Sequence, residues 1–302
     1  MNSGTIISLL VGLILAPLLP GIINRVKAKF GGRRGQPILQ MYFDLWKLLH
    51  KGAVYSRTTT WVFQAGPIVG LAAVVAAMMI VPFGGMNALV GFPGDLVLMA
   101  GLLGLGRFFT MIAALDTGSS FEGMGASREA HFSALGEPVL LLALAVVGRK
   151  TVSFSLSEIF GALTPWHWAQ SFVPLALVVT VLLVLLLLEN SRIPVDDPNT
   201  HLELTMIHEV MVLDHGGPDF AFIQYGAALK LWLMGVLLVN VLLPIHSGHL
   251  WIDLGVGVIG MCGVGVVVGI IESIMARLRL LFVPQLLVGA GVMATVALVV
   301  MQ

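Results

Sequence analysis

Charge is what this sequence has least of. Asp, Glu, Lys and Arg together make 11% of its 302 residues, where a soluble globular domain carries about a quarter. Hydrophobic residues make 58%, and the mean hydropathy is +0.98. A chain so composed cannot clothe a water-facing surface, which excludes a soluble enzyme, a nucleic-acid binder and a disordered scaffold. Cysteine is nearly missing too. Cys262 stands alone, so no disulfide framework, zinc site or cysteine-ligated iron–sulfur cluster is held within this chain. Formal net charge is zero, so any electrostatic message lies in how the few charges are distributed.

What the sequence has in plenty is long apolar runs. About eight reach roughly 20 residues, enough to cross a hydrocarbon core of about 30 Å. They lie near Thr5–Ile23, Trp61–Val81, Asp95–Leu115, His131–Val147, Gln170–Leu188, Phe220–Leu243, Leu250–Ile271 and Leu280–Val300. The expectation is an all-α polytopic protein, one membrane domain over residues 1–302. The first run does not read as a cleaved signal peptide, because its positive charges follow it rather than precede it.

Those charges predict the orientation. Arg25, Lys27, Lys29, Arg33, Arg34, Lys47, Lys51 and Arg57 fall between Asn24 and Thr60, half of the 16 basic residues, against one acid, Asp44. The positive-inside rule makes this connection cytoplasmic. With eight spans both termini face outside. The connections near Asp116–Glu129, Glu189–Asp219 and Glu272–Pro284 then lie inside as well, and hold most of the acids. The cytoplasmic side is the chemically busy one, suited to docking a large protein partner.

Three stretches carry the chemistry. The segment at about 37–51 spaces Ile38, Met41, Leu45, Leu48 and Leu49 helically. It predicts an interfacial amphipathic helix that anchors at the membrane surface or lines the entrance of a cytoplasm-facing cavity. The stretch from Leu115 through Asp116-Thr117-Gly118-Ser119 to Gly125-Ala126-Ser127-Arg128-Glu129 leads into a span holding Glu137. Ser127 is the expected cap of that span, with Glu129 in its first turn. Glu129 and Glu137, eight residues apart, share a face. A carboxylate as deep as Glu137 is costly and points to function. The third stretch runs from Glu189 through Arg192, Asp196 and Asp197-Pro198 to Glu203, Glu209 and Asp219. Asp197-Pro198 predicts a helix start, and Gly216-Gly217-Pro218 its stop near His215. On that helix His201, His208 and His215 would stand roughly 10 Å apart. That is too far to share a metal ion, so the stripe reads as a solvated or partner-facing face, or as a proton-accessible one. Lys230 and Arg107 each sit within a span, and Lys230 needs a partner carboxylate or a wet cavity.

Taken together, these motifs resemble a known family. Leu115-Asp116-Thr117-Gly118-Ser119 with Gly125-Ala126-Ser127-Arg128-Glu129 is the most specific piece. Arg33-Arg34-Gly35 leading to Asp44 and Lys47-Leu48-Leu49, and Glu272-Ser273 with Met275-Ala276-Arg277-Leu278-Arg279, add to it. The chain resembles the membrane protein known as subunit 1 of respiratory complex I. It is closer to the hydrogenase branch, formate hydrogenlyase subunit 4 and hydrogenase-4 component C.

The resemblance implies a subunit, in the cell's inner membrane, that joins a cytoplasmic redox arm to antiporter-like membrane subunits. The arm holds iron–sulfur clusters and, in the hydrogenases, nickel–iron; no cofactor is implied in this chain itself. It implies a proton or charge relay through Glu122, Arg128, Glu129, Glu137, Glu189, Arg192, Asp196, Glu203 and Glu209, to which Lys230 is added from its depth. Glu129, Glu137 and Glu203 are the expected core. Arg33, Arg34, Asp44, Lys47, Arg277 and Arg279 would face the arm or a cavity. Asn199 and His201 stand where the family carries acids, with Glu203 the one acid kept. Two other readings stand beside this one: a quinone-binding subunit of a complex I-like reductase, and a stand-alone ion transporter. The charges gather on one side rather than line the midplane in both halves, which speaks against the transporter.

Overall fold

The computed structural model describes residues 3–196 and 206–301. The helices in chain order are α1 Ser3–Leu15, α2 Leu18–Phe30, α3 Gln40–Leu49, α4 Trp61–Ile80, α5 Asp95–Asp116, α6 Ser120–Thr151, α7 Leu156–Ala162, α8 Pro165–Gln170, α9 Phe172–Glu189, α10 Gly217–Leu242, α11 Leu250–Ile274 and α12 Val283–Val300. No strand forms among the described residues; a single bridge joins Phe83 and Met86. Among the described residues seven helices are long and apolar enough to cross a membrane, and α1 with α2 makes an eighth when the pair is taken as one span bent by 44°. The bend falls at Ala16-Pro17, where proline lacks the N–H that would continue the ladder.

Backbone polar groups have no water to turn to in a hydrocarbon core, so the spans are helical throughout. α10 is the most buried of them, and its Leu229, Leu231, Leu233, Leu237 and Leu238 lie in the main core with Leu182, Leu185 and Leu186 of α9. Around this axis α4 packs on α5 and α10, α12 on α6 and α9, and α11 on α2.

The connections sort to two ends, as the charge pattern predicts. At one end Thr60 N–H donates to Asp116 at 2.6 Å, Lys27 pairs with Glu272 at 2.8 Å, and Leu278 N–H reaches Pro194 O at 2.8 Å. At the other, Gly94 N–H meets Phe154 O at 3.0 Å. There the fully buried Asp95 accepts from Ser155 Oγ at 2.8 Å and Leu156 N–H at 2.7 Å. The chain's first and last described helices both end here: Gly4 abuts Met86 and Leu250, and Arg149 donates to Leu298 O at 2.7 Å. Exposed aromatics ring both ends. Trp166, Trp251, Phe154 and Phe172 mark one, and Phe30, Trp46, Trp61 and Phe282 the other, as at membrane–water boundaries.

Three local expectations are corrected. α6 begins at Ser120 and not after Ser127, so Ser127 is an interior residue whose hydroxyl donates to Met124 O at 2.9 Å. Ser119 holds the N-cap position instead. The helix expected through His215 is absent among the described residues of that stretch. Residues 206–216 make a 3-10 turn, Glu209–Val212, and irregular chain, so His208 and His215 do not share the face of one helix. Asp197, Pro198, Asn199, His201 and Glu203 lie outside the described residues.

The amphipathic segment does form, as α3, and lies against α10 and α2. Gly21 of α2 makes room for it. A Cβ there would fall 2.0 Å from the Ile38 carbonyl oxygen. Gly217 opens α10 with φ +56°, and a Cβ there would lie 2.7 Å from Gly52 O.

Candidate functional site: a buried ion-pair chain beside a cavity

Ionised side chains from four helices meet where α5, α6, α9 and α10 come together below the charged end. Arg107 of α5 binds Glu189 of α9 through one guanidinium nitrogen and Glu137 of α6 through the other. Lys230 of α10 pairs with the second oxygen of Glu189 at 2.9 Å. Carboxylates and cations placed at membrane depth are stable only when each has such a partner. Gly104 leaves the space that the Glu137 carboxylate occupies: a Cβ there would lie 3.0 Å from it. Glu137 is the member with an open side. Its side chain keeps 42% exposure, against 5% for Glu189. Pro138 follows it inside α6 and removes one helical hydrogen bond at that point.

A second group joins this one from the charged end. His208 Nε2 lies 3.0 Å from Glu129 Oε2, and its Nδ1 lies 3.9 Å from Asp196. Asp196 also holds Arg277 at 2.7 Å and accepts the backbone N–H of Ile207 at 3.1 Å. Burial alone would lower the His208 imidazole, but the Glu129 and Asp196 carboxylates raise it to about 9, so it is imidazolium at neutral pH. Burial pushes the Asp196 carboxyl up, and His208 and Arg277 outweigh it, holding it below the usual aspartate range. The two groups are electrostatically continuous, since Glu129 feels both Lys230 and Arg107.

A cavity of about 770 Å³ opens beside them. Its wall takes in Asp44 of α3, Pro67 of α4, Arg107, Glu129, Glu189, Lys230, His208 and Glu209, with Met41, Leu71, Phe220 and Phe222 as apolar lining. His215 lies at its edge, stacked on Phe63 with ring centroids 3.9 Å apart. Burial holds this imidazole below its usual value, so it is neutral.

The remaining expected residues divide. Arg192 pairs with Glu272 at 3.3 Å, beside Lys27, and stitches α2, α11 and the connection after α9 together. Arg128 donates to Met206 O at 2.8 Å. Glu122 accepts from Thr117 and from Asp214 N–H at 3.4 Å, which ties the start of α6 to the same connection but not to the ion-pair chain. Asp44 faces the cavity and accepts from Gln40 at 2.9 Å. Arg33, Arg34, Lys47 and Arg279 are exposed or half-buried, apart from the cavity wall. Glu129 and Glu137 do share a region, though Arg107 stands between them. Arg107, His208, Lys27 and Glu272 were not among the expected relay residues. Arg107 carried a signal, a guanidinium inside an apolar run. His208 stood out only as one of a histidine stripe with a solvated, partner-facing or proton-accessible face; its contact with Glu129, far off in the chain, carried no signal.

Comparison with known proteins extends this picture. The sequence profile of the family described as NADH dehydrogenase matches residues 4–302. Formate hydrogenlyase subunit 4 of Escherichia coli K12 is 31% identical over 287 residues, 93% of this chain and 92% of that one. Hydrogenase-4 component C of the same organism is 31% identical over 280 residues, 90% and 86% of the two chains. A subunit of the NADH-quinone oxidoreductase of Verminephrobacter eiseniae is 25% identical over 260 residues, 78% of this chain and 70% of that one. Among solved structures, a chain of the membrane-bound sulfane sulfur reductase, an archaeal respiratory membrane complex, has the same fold. Its TM-score is 0.85 at 22% identity, and the match covers 99% of this chain and 98% of that one.

Proposed function

Because the chain belongs to the NADH dehydrogenase family of multi-pass, complex I-like membrane subunits, we propose that it anchors and couples a group 4 [NiFe]-hydrogenase-related oxidoreductase. In this reading it links a cytoplasmic iron–sulfur redox arm, with nickel–iron in a partner subunit, to proton or sodium translocation by antiporter-like subunits. The observation that carries it is a row of two ion-paired groups: Arg277, Asp196, His208 and Glu129 toward the charged end, and, within electrostatic reach of Glu129, Lys230, Glu189, Arg107 and Glu137. Closely spaced buried charges share their protonation equilibria. A change of field at the charged end therefore shifts protons or side chains along the chain, and the half-open Glu137 is where it would pass the signal to a neighbouring membrane subunit. The basic residues between Asn24 and Thr60 favour placing the charged end in the cytoplasm. The protein then lies in the inner membrane, with both described ends outside. Glu203 remains a proposed member on sequence grounds.

The experiment is Glu137→Gln in the assembled complex, with electron transfer and proton translocation measured together. Continued electron transfer with translocation lost supports the reading; unchanged coupling contradicts it. The cavity favours a second reading, a quinone-binding subunit. Its volume falls in the range of about 300–1,000 Å³ typical of ligand clefts, and its mixed lining from Phe220 and Met41 to His208 and Asp44 suits a ring with polar edges. Quinone co-purifying with the complex would support that reading.

A further inference from the structure

α3 is apolar on two faces. One packs against α10 and α2 and brings Gln40, Met41 and Asp44 to the cavity wall. The other carries Phe43 and Trp46, about one turn apart, which are 59% and 68% exposed. Because the inner face lies against the bundle, this outer face looks away from it, toward the bilayer. Trp46 is also one of the aromatics that ring the charged end, which sets α3 at headgroup depth. Bases gather beside the outer face. Lys47 lies one turn on from Phe43, in the last turn of α3, and Lys51 follows just past the helix end. Lys29, in the last turn of α2, and Arg33 and Arg34 beyond it are exposed as well. Among the described residues none of these bases has a carboxylate partner, and Asp44, the one acid of this connection, is on the cavity side.

We propose that the outer face of α3 is a docking surface for anionic phospholipid in the leaflet at the charged end, with Phe43 and Trp46 among the acyl chains and Lys47 and Lys51 at the phosphates, and that this contact seats the cavity wall. The aromatic rings need an apolar occupant and the ammonium groups a negative one, and a phospholipid offers both at the right separation in depth. Lysine stems lie along the apolar surface while their charges reach outward. Burial of the rings and attraction to anionic headgroups then add, as in interfacial helices generally. The bilayer presses on one side of α3 and the cavity opens on the other, so lipid charge bears on how firmly Met41 and Asp44 are held. The inference is independent of the coupling reading above.

The test uses the intact complex in phosphatidylcholine vesicles doped with brominated phosphatidylglycerol or, in parallel, brominated phosphatidylcholine. Bromine quenches indole on contact, and Trp46 is read as the difference between the complex and its Trp46→Phe variant. The anionic lipid should quench Trp46 at a lower mole fraction than the zwitterionic one. That preference should fall about fivefold in Lys47→Gln, and about fivefold again when Lys51→Gln is added, the usual weight of one basic residue at an anionic leaflet. Rising salt should weaken it. Equal quenching by both lipids would mean contact with bulk bilayer only, and quenching by neither would mean that a protein partner covers the face; each overturns the inference. Amide exchange of residues 40–49, read in vesicles with and without unbrominated phosphatidylglycerol, tests the seating. It should be slower with anionic lipid in the native protein and indifferent to it in the double lysine variant. Exchange indifferent to lipid charge in the native protein would contradict the seating.

Discussion

Lys230, Glu189 and Arg107 belong to helices α10, α9 and α5, far apart in the chain, and the one carboxylate of Glu189 binds both cations. That dependence gives a sharp expectation. Lys230→Met leaves one oxygen of the buried Glu189 without its cation while Arg107 still holds the other, so it should lower stability by about 1–3 kcal/mol, the usual cost of an unsatisfied buried polar group, read as an earlier unfolding midpoint in detergent. Adding Glu189→Gln should recover part of the loss, since Arg107 and Glu137 then form a charge-balanced pair. A double variant no better than the single would show that the pair is not coupled. The depth of Glu137, Glu189, Lys230 and Arg107 was legible in the sequence, because a charge inside an apolar run stands out against aliphatic neighbours. Their pairing was not, since it is decided by which spans touch. Arg33, Arg34, Lys47 and Arg279 are conspicuous by charge alone and stand away from the cavity wall, consistent with a surface awaiting a partner.

The spans were legible as elements, for a membrane fold is announced by length and hydropathy. Their termini were less so. α6 starts at Ser120 because Gly118, at φ +71°, turns the chain right after α5. The glycines and serines that follow have the composition of a loop, yet packing against Ile207 and Val210 keeps them helical. The 206–216 segment is the converse case. Its apolar residues sit at helical spacing, but Asp196 and Glu129 bind it through the backbone and ring of His208 instead. The raised pKa of His208 gives this segment a pH dependence. An imidazolium favoured by folding contributes fully below the ordinary histidine pKa near 6.5, and its contribution is lost as pH rises through about 9. Amide exchange of 206–215, corrected for intrinsic rate, should therefore accelerate above about pH 9 in the native protein and show no such step in His208→Gln. The contact between α2 and the amphipathic segment offers a second test. Gly21→Ala puts a methyl group against Ile38 O, and overpacking of this kind costs about 1–3 kcal/mol. Faster proteolysis between residues 31 and 39 should accompany the lower stability; unaltered cleavage would mean that the segment is held elsewhere.

Across the whole molecule the charges divide by end and by depth. One end carries the basic connection and the stitched loops after α9 and α11. From it a line of alternating acids and bases descends beside the cavity to Glu137, on the open flank of α6. Relatives that share this fold are subunits of multi-subunit membrane complexes, which suits a line that begins and ends at surfaces of the chain. Arg107 is its next-to-last member, the group that touches both Glu189 and Glu137 among the described residues. The most direct test of the account is the number of protons translocated per electron in assembled complexes carrying Arg107→Gln or Arg107→Lys. The account predicts electron transfer without translocation in the glutamine variant, and partial translocation in the lysine variant, which keeps the charge but loses the two-pronged geometry. Full translocation in Arg107→Gln would contradict it.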